Sequence, residues 1–486
     1  MNTFRIKTMA ALVCLLAFVV TATGQQEKGQ LKFHQDKSFK IAQFTDLHWD
    51  NGSANCSKTR TTIEMVLKTE KPDLAILTGD IVTNIPAKEG WQAVATPFIE
   101  TKTPWAVTLG NHDAEPGISR DEIFELLETM PYFVGSKGPE LTGCGNYALE
   151  IKSSESDQTA AVLYCFDSNS YSTNRKASDY DWVHFDQIGW YRTQSQQFTT
   201  QNAGSPLPSL AFLHIPLIEY KFIEDKESTV GRREEGVASA DLNSGLFASL
   251  FEMKDVMGVF AGHDHDNNYI GIHKEIALAF GQRTGADAYG KLPIGSRIIQ
   301  LAEGDYRFDS WIRTDEGVSF KFNYPSGLTY DDSKVEYFPA VSVKGVKPGA
   351  AYRYFEGEFK QTEELKKAKP VASGVASSIS LEPAKQDDYF GLEYTAYLKI
   401  DKKGVYRFYT YSDDGSRLYI DNQLVVDNDG SHSARRKDGQ IALEAGYHEL
   451  KVLYFESYMG QELEVGISGL SIRETPIPGD MLFYKK

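Results

Sequence analysis

Five short apolar runs of β type in this chain each end in residues able to bind a metal ion. Residues 39–44 (FKIAQF) run into Asp46 and His48, and residues 74–77 (LAIL) into Gly79 and Asp80. Residues 105–109 (WAVTL) run into Gly110, Asn111, His112 and Asp113. Further on, one run ends at His214 and another at Gly262, His263, Asp264 and His265. Five of the ten histidines stand at these ends, which scattered surface histidines would not do. In an open α/β sheet, ligands bind beyond the carboxyl ends of the strands, so the five ends can converge on one site. Asp46/His48 and His263/His265 are i,i+2 pairs, whose members point the same way in extended backbone. Gly79, Gly110 and Gly262 let the chain turn beside a crowded site. Imidazole, carboxylate and amide oxygen together suit Zn, Fe or Mn better than Ca or Mg.

Between these ends, residues 58–70 and 91–100 have helical spacing. Strands alternating with helices predict a largely parallel, buried sheet over residues 37–322. Residues 161–166, 209–213, 276–280 and 297–301 are further strand candidates. A stretch rich in Pro and Gly, 323–349, reads as a linker. From 350 to 472, short β-like runs separated by Asp/Gly/Asn clusters predict an all-β sandwich or barrel, with 473–486 as a tail.

Arg5 and Lys7, an apolar run over 9–20 and the small residues Ala22-Thr23-Gly24 have the order of a secretory signal peptide, 1–24. That predicts an exported protein, periplasmic or secreted, with no transmembrane segment after cleavage. Cleavage would remove Cys14. Cys144 and Cys165 flank two β-like runs and could meet across a hairpin; three free thiols, Cys56 included, is the alternative. The net charge of −16 argues against nucleic acid as a partner.

The order DxH, GD, GNHD, His, GHxH resembles the calcineurin-like metallophosphoesterase superfamily. The resemblance implies a four-layer α/β/β/α sandwich and two metal ions. Asp46, His48 and His265 would hold one ion, and Asn111, His214 and His263 the other. Asp80 would bridge them, a bridging hydroxide would attack phosphorus, and His112, oriented by Asp113, would serve the leaving oxygen. Tyr180-Asp181-Trp182, Asn243-Ser244-Gly245 and Ala288-Tyr289-Gly290-Lys291 look like the purple-acid-phosphatase-29-like branch. True purple acid phosphatases carry Gly at the place of His48 and an iron-binding Tyr at that of Thr83. A purple band is therefore not expected, and the metals stay open among Fe, Zn and Mn. Arg232 and Arg233 are candidate phosphate clamps, since guanidinium binds phosphate bidentately; a solvated Arg/Glu loop is the alternative.

Residues 404–421 (GVYRFYTYSDDGSRLYID), Asp427-Asn428-Asp429-Gly430 and Ala445-Gly446-Tyr447-His448 resemble the PA14 β-sandwich domain. In its lectin-like members the paired Asp binds Ca²⁺ and the ion binds sugar, which would make Asp413 and Asp414 calcium and glycan ligands. An Asp-Gly turn is the simpler reading of the same residues. His432 and His448 read as structural. The chain is thus expected to be an exported dimetal phosphoesterase acting on phosphorylated small molecules, monoesters first, with a glycan-binding module. Phosphodiester or nucleotide-sugar hydrolysis is the alternative within enzymes. A carbohydrate-binding adhesion protein with an inactive scaffold is the alternative outside them.

Overall fold

A computed structural model describes residues 29–226, 228–327, 335–469 and 472–485. The expected signal peptide, with Cys14, and residues 328–334 of the expected linker lie outside the described residues. The chain first alternates β1 (Ser38–Phe44), α1 (Cys56–Glu70), β2 (Leu74–Thr78), α2 (Ala87–Thr101), β3 (Trp105–Thr108) and α3 (Arg120–Leu127). A second run follows: β4 (Tyr147–Lys152), β5 (Thr159–Cys165), α4 (Phe185–Gln201), β6 (Ser209–Phe212), α5 (Leu246–Met253), β7 (Val256–Ala261), β8 (Ile270–His273) and β9 (Ile276–Phe280). Then β10 (Gly295–Ala302), β11 (Phe308–Thr314) and β12 (Gly317–Tyr324) return to the first sheet.

Two six-stranded sheets result, ordered β12-β11-β10-β1-β2-β3 and β4-β5-β6-β7-β9-β8. The strands that carry the five polar ends run parallel to one another, as β1-β2-β3 in the first sheet and as β6-β7, flanked by β5 and β9, in the second. The remaining pairs are antiparallel. The expectation of a largely parallel sheet therefore holds only for β1-β2-β3 and β5-β6-β7-β9. Two-residue links, Asp315-Glu316 and Lys274-Glu275, join β11 to β12 and β8 to β9, and so short a link permits only antiparallel return.

Side chains alternate across the second sheet. On β5, Leu163 and Cys165 join the core shared with the first sheet, while Val162 and Tyr164 pack with Ile188 and Tyr191 of α4. On the first sheet, Ile63, Val66 and Leu67 of α1 and Trp91, Val94 and Phe98 of α2 supply the outer layer. Both faces of each sheet are covered, so the strands read as continuous apolar runs. The layers are α/β/β/α, as the resemblance implied. All three cysteines of the described residues are free, and Cys165 faces the inter-sheet core, so the hairpin disulfide is not formed.

The C-terminal part is a β-sandwich. Arg435–Leu443, Gly404–Asp413, Glu462–Gly469 and Ile472–Pro476 form one sheet. Phe390–Ile400, Gly446–Glu456 and Ser416–Ile420 are central to the other. Leu392, Leu398, Phe408, Val452 and Ile467 lie in the core between them. The expected tail is not a free appendage: Leu482–Tyr484 pairs with Lys347–Pro348 and with Phe390–Ile400. The end of the expected linker and the chain's last strand thus complete the sandwich. Lys402 Nζ meets Asp305 at 2.6 Å across to the first domain, and Arg473 lies over the Tyr306 ring at 5.3 Å.

Candidate metal centre

The five strand ends do converge. Asp46, His48, Asp80 and His265 bring ligand atoms within 4.8 Å of one another, and so do Asp80, His214 and His263. Asp80 belongs to both groups. Its Oδ2 lies 3.1 Å from His214 Nε2 and 3.8 Å from His48 Nε2. His265 Nε2 lies 3.4 Å from Asp46 Oδ1, and His263 Nδ1 lies 3.3 Å from His214 Nε2.

Outer partners fix how several of these side chains face. The carbonyl of Thr78 lies 2.8 Å from His214 Nδ1, and that of Tyr289 lies 3.1 Å from His265 Nδ1. Each ring therefore holds a proton on Nδ1 and turns Nε2 inward, where a bound ion would take the place of a proton. Asn111 donates its amide to Tyr171 Oη at 3.1 Å, which leaves Oδ1 free. His48 Nε2, His263 Nε2 and Asn111 Oδ1 are buried without a hydrogen-bond partner. Buried polar atoms are normally paired, so three orphans on residues of the converging strand ends call for an ion. The donor set of imidazole, carboxylate and amide oxygen fits a transition metal.

Electrostatics prepares the same site. Burial opposes charge on Asp80, yet His214 and His48 outweigh it and hold the carboxyl below its usual range. Burial pushes His48 down to about 4 and, with His214 beside it, His263 down to about 3. These two rings are neutral, the form in which imidazole ligates. Burial also works against a charged His214, but Asp80 and Asp46 hold it up to about 9.

Backbone strain marks the site. Asp46 (φ 52°), His48 (45°), Asp80 (53°) and His263 (76°) all lie in the left-handed region. Each such residue costs about 1–3 kcal/mol and persists only where the surroundings enforce it. The i,i+2 members therefore reach the site through strained turns, and the extended backbone expected for them is absent. His263 and His265 even fall in different groups. Gly110 is needed for space: a Cβ there would stand 2.2 Å from Asp80 Oδ1. Gly79 is needed twice over, with φ at 83° and a Cβ that would meet the His214 ring at 2.4 Å.

Two expected roles are corrected. Asp113 does not orient His112. Its buried carboxylate accepts the backbone N–H groups of Asp80, Ile81, Val82 and Gly110 at 2.7–3.1 Å. It ties the β2 loop to the β3 loop. His112 Nδ1 instead lies 2.7 Å from Glu115 Oε2, and its amide donates to Asp80 Oδ1 at 2.9 Å. Nor are Arg232 and Arg233 free clamps. Arg232 is held by Glu234 at 2.7 Å, and Arg233 by Glu224 at 2.9 Å and Asp225 at 3.0 Å. The sequence shows the acidic residues beside these arginines, and local pairing is what they do.

Sequence reasoning named Tyr180 and Tyr289 within the resemblance but did not place an aromatic wall at the site. Tyr180 meets His263 edge-on at 4.5 Å and stacks with Tyr171, while Tyr289 lies against His265 at 4.1 Å. Tyrosines 171 and 180 lie beyond β5 in an irregular stretch with no metal-type spacing. Only the folded chain brings them to the site.

In the sandwich, Asp413, Asp414 and Glu456 form a third acidic group within 4.8 Å. Asp414 accepts the N–H groups of His432 and Ser457, and Asp413 that of Ala434. Glu456 Oε1 is buried without a partner, and burial, with Asp414 and Asp413 near, pushes this carboxyl up to about 7. His432 and His448 both bond carbonyls or carboxylates of nearby turns, as structural residues do.

A family model described as Calcineurin-like phosphoesterase matches residues 39–267, and one described as PA14 domain matches residues 346–475. The chain is 34% identical over 312 residues to Probable inactive purple acid phosphatase 29 of Arabidopsis thaliana, covering 58% of this chain and 80% of that protein. It is 33% identical over 280 residues to Phosphatase DCR2 of Saccharomyces cerevisiae, covering 51% of this chain and 47% of that one. A solved dimetal phosphatase from Danio rerio covers 59% of this chain and 98% of its own at 12% identity, with a TM-score of 0.43.

Proposed function

Since this chain belongs to the calcineurin-like phosphoesterase family and carries a PA14 domain, we propose that it hydrolyses phosphoric esters, monoesters first, at a two-metal centre. The observation that carries the reading is the pair of buried ligand groups sharing Asp80, with His48 Nε2, His263 Nε2 and Asn111 Oδ1 left unpartnered. One ion would be held by Asp46, His48 and His265, the other by Asn111, His214 and His263, with Asp80 between them. Two such ions, when bound, supply Lewis acidity and an activated water. The name of the Arabidopsis relative includes the word inactive. In this chain every ligand position of the pattern is filled and buried or nearly so.

The residues supply the rest. His112, a third exposed, is tied at Nδ1 to Glu115, so Nε2 is free to hold a proton for the leaving oxygen. The tyrosine wall gives the leaving group an aromatic surface. Two divalent ions would exceed the charge of Asp46 and Asp80, and a positive site favours a monoester dianion over a diester monoanion. With both arginines paired elsewhere, this residual charge sets the preference. Export, read from residues 1–24, is part of the same proposal.

The test is phosphate-ester turnover by the full chain reloaded with Zn, Fe(II) or Mn. We expect 4-nitrophenyl phosphate to show higher kcat/KM than bis(4-nitrophenyl) phosphate, and a chelator to remove both activities. Arg232→Ala with Arg233→Ala should leave the ratio unchanged. A faster diester would move the reading to a phosphodiesterase. No turnover by metal-loaded protein would leave an inactive scaffold.

For the PA14 domain we propose calcium at Asp413, Asp414 and Glu456 as the bridge to glycan hydroxyls, supported by their clustering and the orphaned Glu456 oxygen. Glu456 ionises near 7 in the folded chain, above the usual carboxylate value, so its protonated form favours folding at low pH and that contribution is lost as pH rises through about 7. Calcium needs the ionised form. The gain in melting temperature on adding calcium should therefore be larger at pH 8 than at pH 5.5. Asp414→Ala should abolish both that gain and any calcium-dependent glycan binding. An equal gain at the two pH values would remove Glu456 from the site.

A further inference from the structure

Away from the metal centre, a cleft of about 630 Å³ opens between the two domains. That volume and position are typical of small-molecule sites, which favour domain interfaces and mix an apolar lining with a few polar groups. On the phosphoesterase side two phenylalanines stand beside Lys226 and Lys274. Phe222 is 57% exposed and stacks on His273 at 5.0 Å, and Phe251 is 41% exposed beside it. Large exposed aromatics gathered at one concavity are a mark of binding.

The charges around the wall do not cancel. Arg436 is taken by Glu474 and Asp438, and Arg407 shares Asp438 at 3.3 Å. Among the described residues no carboxylate pairs with Lys226, Lys274 or Arg473, all of which line the cleft. Arg473 Nη1 is buried without a hydrogen-bond partner. Burial, with Arg407 and Lys274 close by, lowers the pKa of Lys226. Burial, with Glu474 near, raises that of the one remaining carboxyl, Glu275, to about 7, which weakens it as a counter-ion. An excess of cations in a chain of net charge −16 is a local feature that bulk charge would not produce.

We propose that this interdomain cleft binds a small organic anion, with a ring-sized body against Phe222 and Phe251 and its acid group among Lys226, Lys274 and Arg473. Guanidinium and ammonium groups match carboxylate, sulfate or phosphate oxygens, and the aromatic faces give a ring somewhere to lie. The body is an aromatic ring or the C–H face of a sugar ring; what the two share is a flat apolar face for the phenylalanines and an acid group for the cations. Because the lining comes from both domains, an occupant would brace the sandwich against the phosphoesterase domain.

Calorimetry on the full chain tests this with 2-naphthalenesulfonate for the aromatic source and glucuronate for the sugar source, and with neutral 2-naphthalenemethanol as the uncharged comparison. Saturable binding of a single molecule by either anion, weakened at least about tenfold in Phe222→Ala and in Lys226→Gln with Lys274→Gln, is expected; for the aromatic probe, the neutral compound should bind at least as much more weakly. Which anion binds names the source. Phe222 is largely exposed, so its truncation leaves the fold intact, and Phe251→Ala provides a second reading of the same wall. Asp80→Asn should leave the binding unchanged. No saturable binding by either anion at millimolar concentration overturns the proposal. So does binding indifferent to the cleft variants, or binding lost only in Asp80→Asn, which would put the anion at the metal centre.

Discussion

Replacing Asp80 by Asn will strip the phosphoesterase centre of metal and remove most turnover while the chain stays folded. Asp80 is the one side chain common to both ligand groups, so its loss weakens both at once. Its Oδ1 accepts the His112 amide, a bond that an amide oxygen can keep. Its Oδ2 faces His214 and His48, where an NH₂ would present protons to the inward-facing nitrogens. The geometry below is not at risk, because Leu74–Thr78 is buried throughout and pairs on both sides. We expect kcat/KM to fall by about 10²–10³-fold or more, the scale of losing the electrostatic centre of a reaction. Metal per chain should fall in parallel, and the far-UV spectrum should not change. Wild-type metal content in Asp80→Asn, or full activity in a metal-depleted sample, would end the two-metal reading.

What the sequence disclosed and what it hid follow from distance along the chain. The metal-type residues were legible because each follows its own strand directly, and a parallel sheet places such ends side by side. The same logic misjudged how they get there. Asp46, His48, Asp80 and His263 adopt left-handed conformations, which Asp and His tolerate better than most residues but do not require, and tertiary hydrogen bonds hold Asp46 and His48 there. Asp113 shows the limit more sharply. Adjacent to His112, it looked like that residue's partner, yet a buried carboxylate is drawn to the largest set of unpaired donors, and two neighbouring loops supply four backbone N–H groups. Glu115, which closes a tight turn by donating its amide to the His112 carbonyl, takes its place. The antiparallel strands β8, β11 and β12 were missed: β8 is four residues with a glycine inside it, and polar residues interrupt the apolar positions of β11 and β12. The closing strand Leu482–Tyr484 was hidden by its shortness and the Pro/Gly residues before it.

The two residues at the end of GNHD should therefore fail in different ways. Asp113→Ala leaves four backbone N–H groups buried and unpaired, each worth about 1–3 kcal/mol when orphaned. Relief works the other way, since burial and the nearby Asp80 charge raise the Asp113 pKa. Orphaning four buried donors costs more than that relief returns, so we expect a net loss of about 3 kcal/mol and a clear fall in melting temperature. Activity would fall with every substrate alike, because both loops move. His112→Ala removes a side chain that is one-third exposed and should change stability by less than about 1 kcal/mol. Its cost appears in kcat, by about 10²–10⁴-fold, and depends on the leaving group. An alkyl phosphate, whose alkoxide needs the proton, should suffer far more than 4-nitrophenyl phosphate, whose phenolate leaves unaided. Thermal melts and kcat for the two esters in each variant separate the roles. If Asp113→Ala kept its melting temperature and showed the leaving-group dependence of His112→Ala, Asp113 would be acting through His112, and its assignment to the loops would be wrong.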